Sequence, residues 1–282
     1  MKNRLLAANI EYYRPTTIDE AVEQFFMLKK ENKNPMYYSG GTEILTLGRL
    51  NLIQPGAVID IKAIKETFSH EFYQDHFIFG ASLPLTYIEE KNVFPLLTQT
   101  SVEIADHTAR NKITLGGNLC GEIFYREAVL PFLLCNCKVA VAGKDGLKTL
   151  PIAQIFNKTF QLEAGQFLVQ LFIDKKYLSL PFITIKKRQQ WETGYPLLTV
   201  ASIEVDHQIR FAFSGLCPFP FRSQRMETEL NKTNLPVEKR IDNAIEHIPT
   251  PILHDLEGSK EFRLFVLRNI LTEIILEMEG KR

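Results

Sequence analysis

The stretch YYSGGTEIL, residues 37–45, decides how this chain is read. The run ending in Tyr37-Tyr38 predicts a short strand over residues 36–38, and Ser39-Gly40-Gly41-Thr42 breaks it. The apolar spacing from Glu43 onward predicts a helix. A glycine pair at such a turn permits positive φ and carries no Cβ to keep a ligand at a distance. Successive N–H groups there form a concave anion site, and the dipole of the helix after Thr42 adds to it. A second pair, Gly116-Gly117, lies in the turn-rich RNKITLGGN of residues 110–118. Two such loops could clamp one pyrophosphate from opposite sides. Taken singly, each pair reads as a tight turn. Neither G-x-G-x-x-G nor G-x-x-x-x-G-K-[ST] is present, which disfavours a Rossmann or P-loop protein.

Upstream, Thr17 is placed to cap a helix over residues 19–30, whose Ala21, Val22, Phe25, Phe26 and Leu28 form one stripe. With AVIDI at residues 57–61 as another short strand, this opening portion reads as β-α-β. Downstream the pattern predicts a hairpin within residues 68–81, a helix from Thr86 and another over residues 95–106. Strands at 138–142 and 147–150 flank Gly143-Lys144-Asp145-Gly146, and residues 167–173 form a further strand. Past Tyr177 come strands at 182–187, 197–205 and 209–213, with Asp206-His207 as a tight turn, and then helices at 237–247 and 259–279. Strands followed by helices suggest a separate α+β unit. The boundary falls between Ile173 and Leu180, which divides the chain into domains 1–175 and 176–282.

Composition agrees with two globular domains. The chain has 282 residues, 45% of them hydrophobic and 23% charged. Thirty-three basic residues balance 33 acidic ones, which argues against a nucleic-acid binder. No run approaches the ~20 apolar residues of a membrane span, and the apolar stretch at the N-terminus is too short for a secretory signal. The cytoplasm is the default compartment, so the sequons at Asn157 and Asn231 read as chance. Cys120, Cys135, Cys137 and Cys217 read as small buried hydrophobes, because a single C-x-C is a poor metal site. No metal is expected on this chain.

YYSGGTEIL, ARNKITLGGNL at 109–119 and LPFLL at 130–134, in this order and separation, resemble the flavoprotein subunits of molybdenum hydroxylases. These are the medium subunits of the xanthine dehydrogenase and carbon monoxide dehydrogenase family. That family reads A-G-G-T-[DE] in the first loop and [IV]-R-N-x-x-T-[IL]-G-G-N-[IL] in the second. AVIDI, FGASLPLTYIEE at 79–90, SGLCPFPFR at 214–222 and SKEFRLFVLRNIL at 259–271 extend the likeness from about Pro15 to about Leu276. The resemblance implies an α+β fold in two domains. A two-part FAD-binding domain of the vanillyl-alcohol-oxidase (PCMH) type would hold the flavin between its parts. A smaller C-terminal domain of the CO dehydrogenase flavoprotein type would follow it.

The resemblance also implies roles for particular residues. Ser39, Gly40, Gly41 and Thr42 would contact the pyrophosphate of noncovalent FAD, and Glu43 would contact the cofactor or fix the loop. Thr114, Gly116, Gly117 and Asn118 would form the opposing loop. The family's Pro and Asp after that loop are Phe124 and Glu127 here, and Glu127 keeps a carboxylate for the ribityl or ribose hydroxyls. Lys186 is the candidate for a lysine near the flavin ring, where a cation favours the anionic reduced form. The competing reading makes Lys186, Lys187 and Arg188 a solvated edge. A family Asp is replaced by Gly194. His107 reads as a surface or capping residue rather than a covalent flavin link. Trp191, Tyr37 and Tyr38 could stack on flavin or pack in the core.

By resemblance the chain is an electron-relay subunit and carries no general acid–base pair. It would take electrons from 2Fe-2S clusters on one partner, while substrate is hydroxylated on a molybdopterin-binding partner, and pass them through FAD to NAD or another acceptor. Xanthine is the substrate suggested by likeness. A stand-alone FAD oxidoreductase and a scaffold that has lost FAD are the alternatives.

Overall fold

The computed structural model describes residues 9–188 and 195–280, so Trp191 and Gly194 lie outside the described residues. In chain order, β1 (Glu11–Tyr13), α1 (Ile18–Lys30), β2 (Pro35–Tyr38), α2 (Thr42–Arg49) and β3 (Ala57–Asp60) come first. Then follow β4 (His70–Tyr73), β5 (His76–Gly80), α3 (Leu85–Lys91), α4 (Pro95–Ser101), α5 (His107–Arg110), α6 (Leu115–Cys120) and α7 (Leu130–Leu134). The hairpin β6 (Lys138–Gly143) and β7 (Gly146–Pro151) precedes α8 (Ile152–Ile155), the short β8 (Phe156–Asn157) and β9 (Thr159–Phe160), and β10 (Phe167–Asp174). The rest is β11 (Phe182–Arg188), β12 (Pro196–Val205), β13 (Gln208–Ser214), β14 (Phe221–Arg222), α9 (Gln224–Leu230), α10 (Val237–Ile245) and α11 (Lys260–Gly280).

The chain divides into two compact units. The first gathers the chain up to Lys91 with Asp106–Gly121 and Cys137–Lys175. The second gathers Asn92–Ala105, Glu122–Asn136 and the chain from Lys176 onward. The sequence reading places a single boundary near residue 175, and the two excursions that join the second unit have no counterpart in that reading.

Among the described residues the first unit holds two larger sheets and the two-stranded β8-β9. Of the larger two, one is parallel with order β1-β3-β2, and the other has order β4-β5-β10-β6-β7. Thr17 caps α1, its hydroxyl accepting from the Glu20 N–H at 3.2 Å, and acidic Asp19 and Glu20 suit the positive end of the helix. Ala21, Val22 and Leu28 bury the apolar stripe of α1 against Ile59 of β3 and Ala140 and Ala142 of β6. The hairpin between β6 and β7 turns through Gly146, as its glycines predict.

The second unit is a four-stranded antiparallel sheet, β11-β12-β13-β14, with helices packed on it. Leu198, Val200, Phe211 and Phe213 share one core with Leu267, Ile270, Leu271 and Ile274 of α11. The turn at Asp206-His207 has both residues at positive φ, the geometry of a tight hairpin. The helix expected over residues 95–106 ends at Ser101, because Ala105 takes a positive φ and Asp106 caps α5. The α9 helix has no counterpart in the sequence reading. Cys135, Cys137 and Cys217 are buried, whereas Cys120 is exposed, at the end of a short helix where no core covers it. No helix among the described residues is long and apolar enough to cross a membrane.

Candidate functional site

The two glycine loops meet within the first unit. A Cβ on Gly40 would fall well inside contact distance of the Lys112 carbonyl oxygen, so the missing side chain lets the chain segments touch. Gly41 caps α2 with φ 72°, a left-handed conformation, and the Tyr38 ring fills the space a Cβ would take. These two glycines are thus required by the chain itself. Among the described residues, no acceptor pairs with the N–H groups of Gly40, Gly41 or Thr42. They lie at the start of an eight-residue helix, where first-turn donors have no intrahelical partner.

The opposing loop is built differently. Residues 81–85 of the FGASLPLTYIEE stretch run beside residues 113–116, with Leu85 N–H donating to the Ile113 carbonyl at 3.0 Å. Leu115 N–H donates to the Leu83 carbonyl at 2.8 Å and Gly116 N–H to the Ala81 carbonyl at 2.7 Å. Thr114 caps α6, its hydroxyl accepting from Gly117 N–H at 3.3 Å, and Asn118 N–H donates to the Thr114 carbonyl at 2.9 Å. The N–H groups of Leu115, Gly116, Gly117 and Asn118 are therefore bonded inside the chain. What it presents is the Asn118 carboxamide: the residue is 7% exposed and its Oδ1 has no partner among the described residues. Outside its own helix, a Cβ on Gly117 would meet only the Thr114 hydroxyl, at 2.9 Å, so that side is otherwise open.

Two side chains tie the loops together. Ser39 donates through its hydroxyl to Ser82 at 3.0 Å. The Glu43 carboxylate lies 2.5 Å from where a Cβ on Gly121 would stand, at the end of α6.

Beneath the first loop sits a polar cluster that the sequence reading missed. Lys62 donates to the Ser39 carbonyl at 2.7 Å and to both oxygens of Asp60 at 2.8 Å, and its ammonium lies 4.6 Å from the centre of the Tyr38 ring. Tyr12 donates its hydroxyl to Asp60. Burial alone would raise the Asp60 carboxyl, but the hydrogen bonds from Lys62 and Tyr12 outweigh it and hold the group below the usual range. The only signal for this cluster was the parallel register that sets Tyr38 opposite Asp60, which a single sequence does not print.

Glu127 and Lys186 lie in the second unit and meet each other. Lys186 Nζ is 2.9 Å from Glu127 Oε1, and it also donates to the Glu103 carbonyl at 2.7 Å. With the Lys186 side chain 7% exposed, the solvated-edge reading does not hold for it. Phe124 stacks against Tyr125, which stacks in turn on Tyr195 with ring centroids 4.6 Å apart. Tyr37 belongs to the core of the first unit, stacked on Phe25 and donating to the Gly165 carbonyl at 2.9 Å. His107 is exposed in the first turn of α5.

Comparison with known proteins identifies the class to which this fold and these loops belong. Residues 8–175 match the model of the FAD binding domain in molybdopterin dehydrogenase. The match covers more than half of the chain, which therefore belongs to that family. The xanthine dehydrogenase FAD-binding subunit of Escherichia coli O157:H7 is 22% identical, with 94% of each chain covered. The caffeine dehydrogenase subunit beta of Pseudomonas sp. (strain CBB1) is 24% identical over 77% of this chain and 76% of its own. A solved carbon monoxide dehydrogenase from Hydrogenophaga pseudoflava, lacking the Mo-pyranopterin moiety of its cofactor, superposes with a TM-score of 0.83 at 20% identity. That superposition covers 95% of this chain and 96% of the other, so the fold is the α+β FAD-binding architecture that the motifs imply.

The residues present suit FAD. A pyrophosphate needs donors, and the first loop has three N–H groups at a helix start that no acceptor among the described residues pairs with. A cofactor hydroxyl needs an acceptor, and Asn118 Oδ1 is a buried carbonyl oxygen without a donor among the described residues.

Proposed function

We propose that this chain is the FAD-binding subunit of a multi-subunit molybdenum hydroxylase, an oxidoreductase component acting in the cytoplasm. Bound FAD supplies the two-electron and one-electron chemistry that lets such a subunit relay electrons. Electrons come from 2Fe-2S clusters on one partner subunit, and substrate is oxidised on a molybdopterin-binding partner. NAD is the proposed acceptor and xanthine the first substrate to test. In this reading Ser39, Gly40, Gly41 and Thr42 bind the pyrophosphate, while Tyr38 and Glu43 shape their loop. Thr114, Gly116 and Gly117 place Asn118 against a cofactor hydroxyl, and Glu127 and Lys186 keep the roles that the resemblance gives them. The functional domains are taken as 1–175 and 176–282, supported by the end of the family match at residue 175.

The observation that carries the reading is the donor row of Gly40, Gly41 and Thr42, without an acceptor among the described residues, beside a loop in which the N–H groups of residues 115–118 are bonded within the chain. That pairing suits an anion on one side and a hydroxyl on the other. The test is a visible absorption spectrum of the purified chain, with the released cofactor identified after denaturation. Bound FAD, together with co-purifying molybdenum and iron–sulfur subunits, is the expected result. A purified chain that neither contains nor takes up FAD sinks the reading, as does an isolated chain that oxidises xanthine unaided.

A further inference from the structure

The Lys62 ammonium, one residue past the AVIDI stretch, stands against the Ser39-Gly40 peptide. Its three N–H bonds are already directed, one to the Ser39 carbonyl at 2.7 Å and the others to the two Asp60 oxygens at 2.8 Å. A lysine has three donors, so this ammonium has no further N–H to give an incoming anion. Its contribution must be to the chain. In a trans peptide the carbonyl and the next N–H point in opposite directions, and the only cis bond among the described residues is Thr250-Pro251. Drawing the Ser39 carbonyl toward Lys62 therefore turns the Gly40 N–H the other way, and that N–H has no partner among the described residues.

We propose that Lys62 is a positioning residue of the cofactor loop, fixing the Ser39-Gly40 peptide so that a donor and not a carbonyl oxygen faces the pyrophosphate. A glycine at the second position of this peptide makes a flip sterically easy, and the flipped peptide would present an oxygen to an anion. The supports of Lys62 are equally specific. Asp60 is 2% exposed, accepts from the Lys62 N–H at 3.0 Å as well as from its ammonium, and accepts from the Tyr12 hydroxyl at Oδ2. The Tyr38 ring, against which Gly41 packs, lies under the same ammonium.

The inference rests on the reading of this loop as the FAD site, and the test separates the two. Full-length wild type, Lys62→Met and Lys62→Arg are stripped of flavin and titrated with FAD and with riboflavin, which has no phosphate. The melting temperature of each flavin-free protein is recorded beside the titrations. Lys62→Met is expected to weaken FAD binding about tenfold or more, the loss of one charge-assisted hydrogen bond. Riboflavin affinity should stay near wild type, flavin-free melting should fall without loss of the fold because Asp60 loses one partner and keeps Tyr12, and Lys62→Arg should recover much of the FAD affinity. Equal FAD binding by Lys62→Met overturns the inference. So does a parallel loss of riboflavin binding, or a flavin-free protein that has lost its fold. Wild type that binds no FAD overturns the site reading itself, and this inference with it.

Discussion

Lys186 and Glu127 are bonded to each other inside the second unit, 2.9 Å apart, with side chains 7% and 3% exposed. The resemblance assigns each a separate contact with the flavin, and the structure makes them one electrostatic unit. A buried pair of this kind is costly to break from one side, because the remaining charge has lost its partner. Lys186→Met is expected to destabilise the fold by about 3–5 kcal/mol. The double variant Lys186→Met with Glu127→Gln should lie closer to wild type than the single one. Urea unfolding measures both, and strictly additive losses would contradict the coupling.

The glycines divide into those the chain needs and one that faces open space. Gly40→Ala drives a methyl group into the Lys112 carbonyl and should fail to fold or melt far below wild type. Gly117→Ala meets only the Thr114 hydroxyl, at 2.9 Å, which can turn aside at the expense of its cap on the Gly117 N–H, so it should fold with a modest loss of stability. If the open side receives the cofactor, Gly117→Ala loses FAD affinity while its melting temperature falls far less than that of Gly40→Ala. Circular dichroism melts paired with FAD titrations distinguish the two variants. Equal stability for both would refute the assignment.

What was legible in the sequence was whatever local chemistry determines. The Thr17 cap, the stripe of α1 and the Gly143–Gly146 hairpin follow from neighbouring residues. The glycine loops were legible as loops, but their separate roles were not. Those roles depend on residues 81–85 lying beside 113–116, a pairing between distant stretches. Lys62 reads as one more lysine in IKAIK until the register sets Asp60 beside Tyr38. Lys186 reads as part of a solvated edge until Glu127 is brought against it, while Lys187 beside it is exposed. The α9 helix escaped because it is only seven residues long, although Ser223 supplies a cap, accepting from the Met226 N–H at 3.3 Å.

Arg222, the last residue of the SGLCPFPFR stretch, ties that motif to LPFLL. It donates to the Leu133 carbonyl at 3.0 Å near the end of α7, to Asn136 Oδ1 at 2.8 Å, and to both oxygens of Glu227 at 2.7 and 2.9 Å. Glu227 in turn accepts from the Phe211 N–H at 2.9 Å. A lysine cannot reproduce a forked contact of this kind. Arg222→Lys should therefore lower stability by about 2 kcal/mol or more, since hydrogen bonds to charged groups are each worth about 1.5–3 kcal/mol. A melting temperature equal to wild type would show that the fork is dispensable.

The Asp60 cluster predicts two pH effects of opposite sense. The groups facing Asp60 are Tyr12, Lys62 and, beneath the ammonium, the Tyr38 ring. Its carboxyl sits below the usual range in the folded chain, so its stabilisation is complete above the unfolded value of about 4. That stabilisation is lost as pH falls through the lower folded value. Tyr12 is pushed up to about 12, first by its hydrogen bond to Asp60 and then by burial and the carboxylate charge. Its contribution is complete below the ordinary phenol value of about 10 and is lost as pH rises through the folded value. Asp60→Asn removes the charge that governs both. Tyrosinate absorbance should then show one phenol ionising nearer its ordinary value than in wild type, and the acid limb of the stability profile should flatten. An unchanged alkaline titration in Asp60→Asn would mean that the Tyr12 hydroxyl does not depend on Asp60, and the anchoring of Lys62 would have to be sought elsewhere.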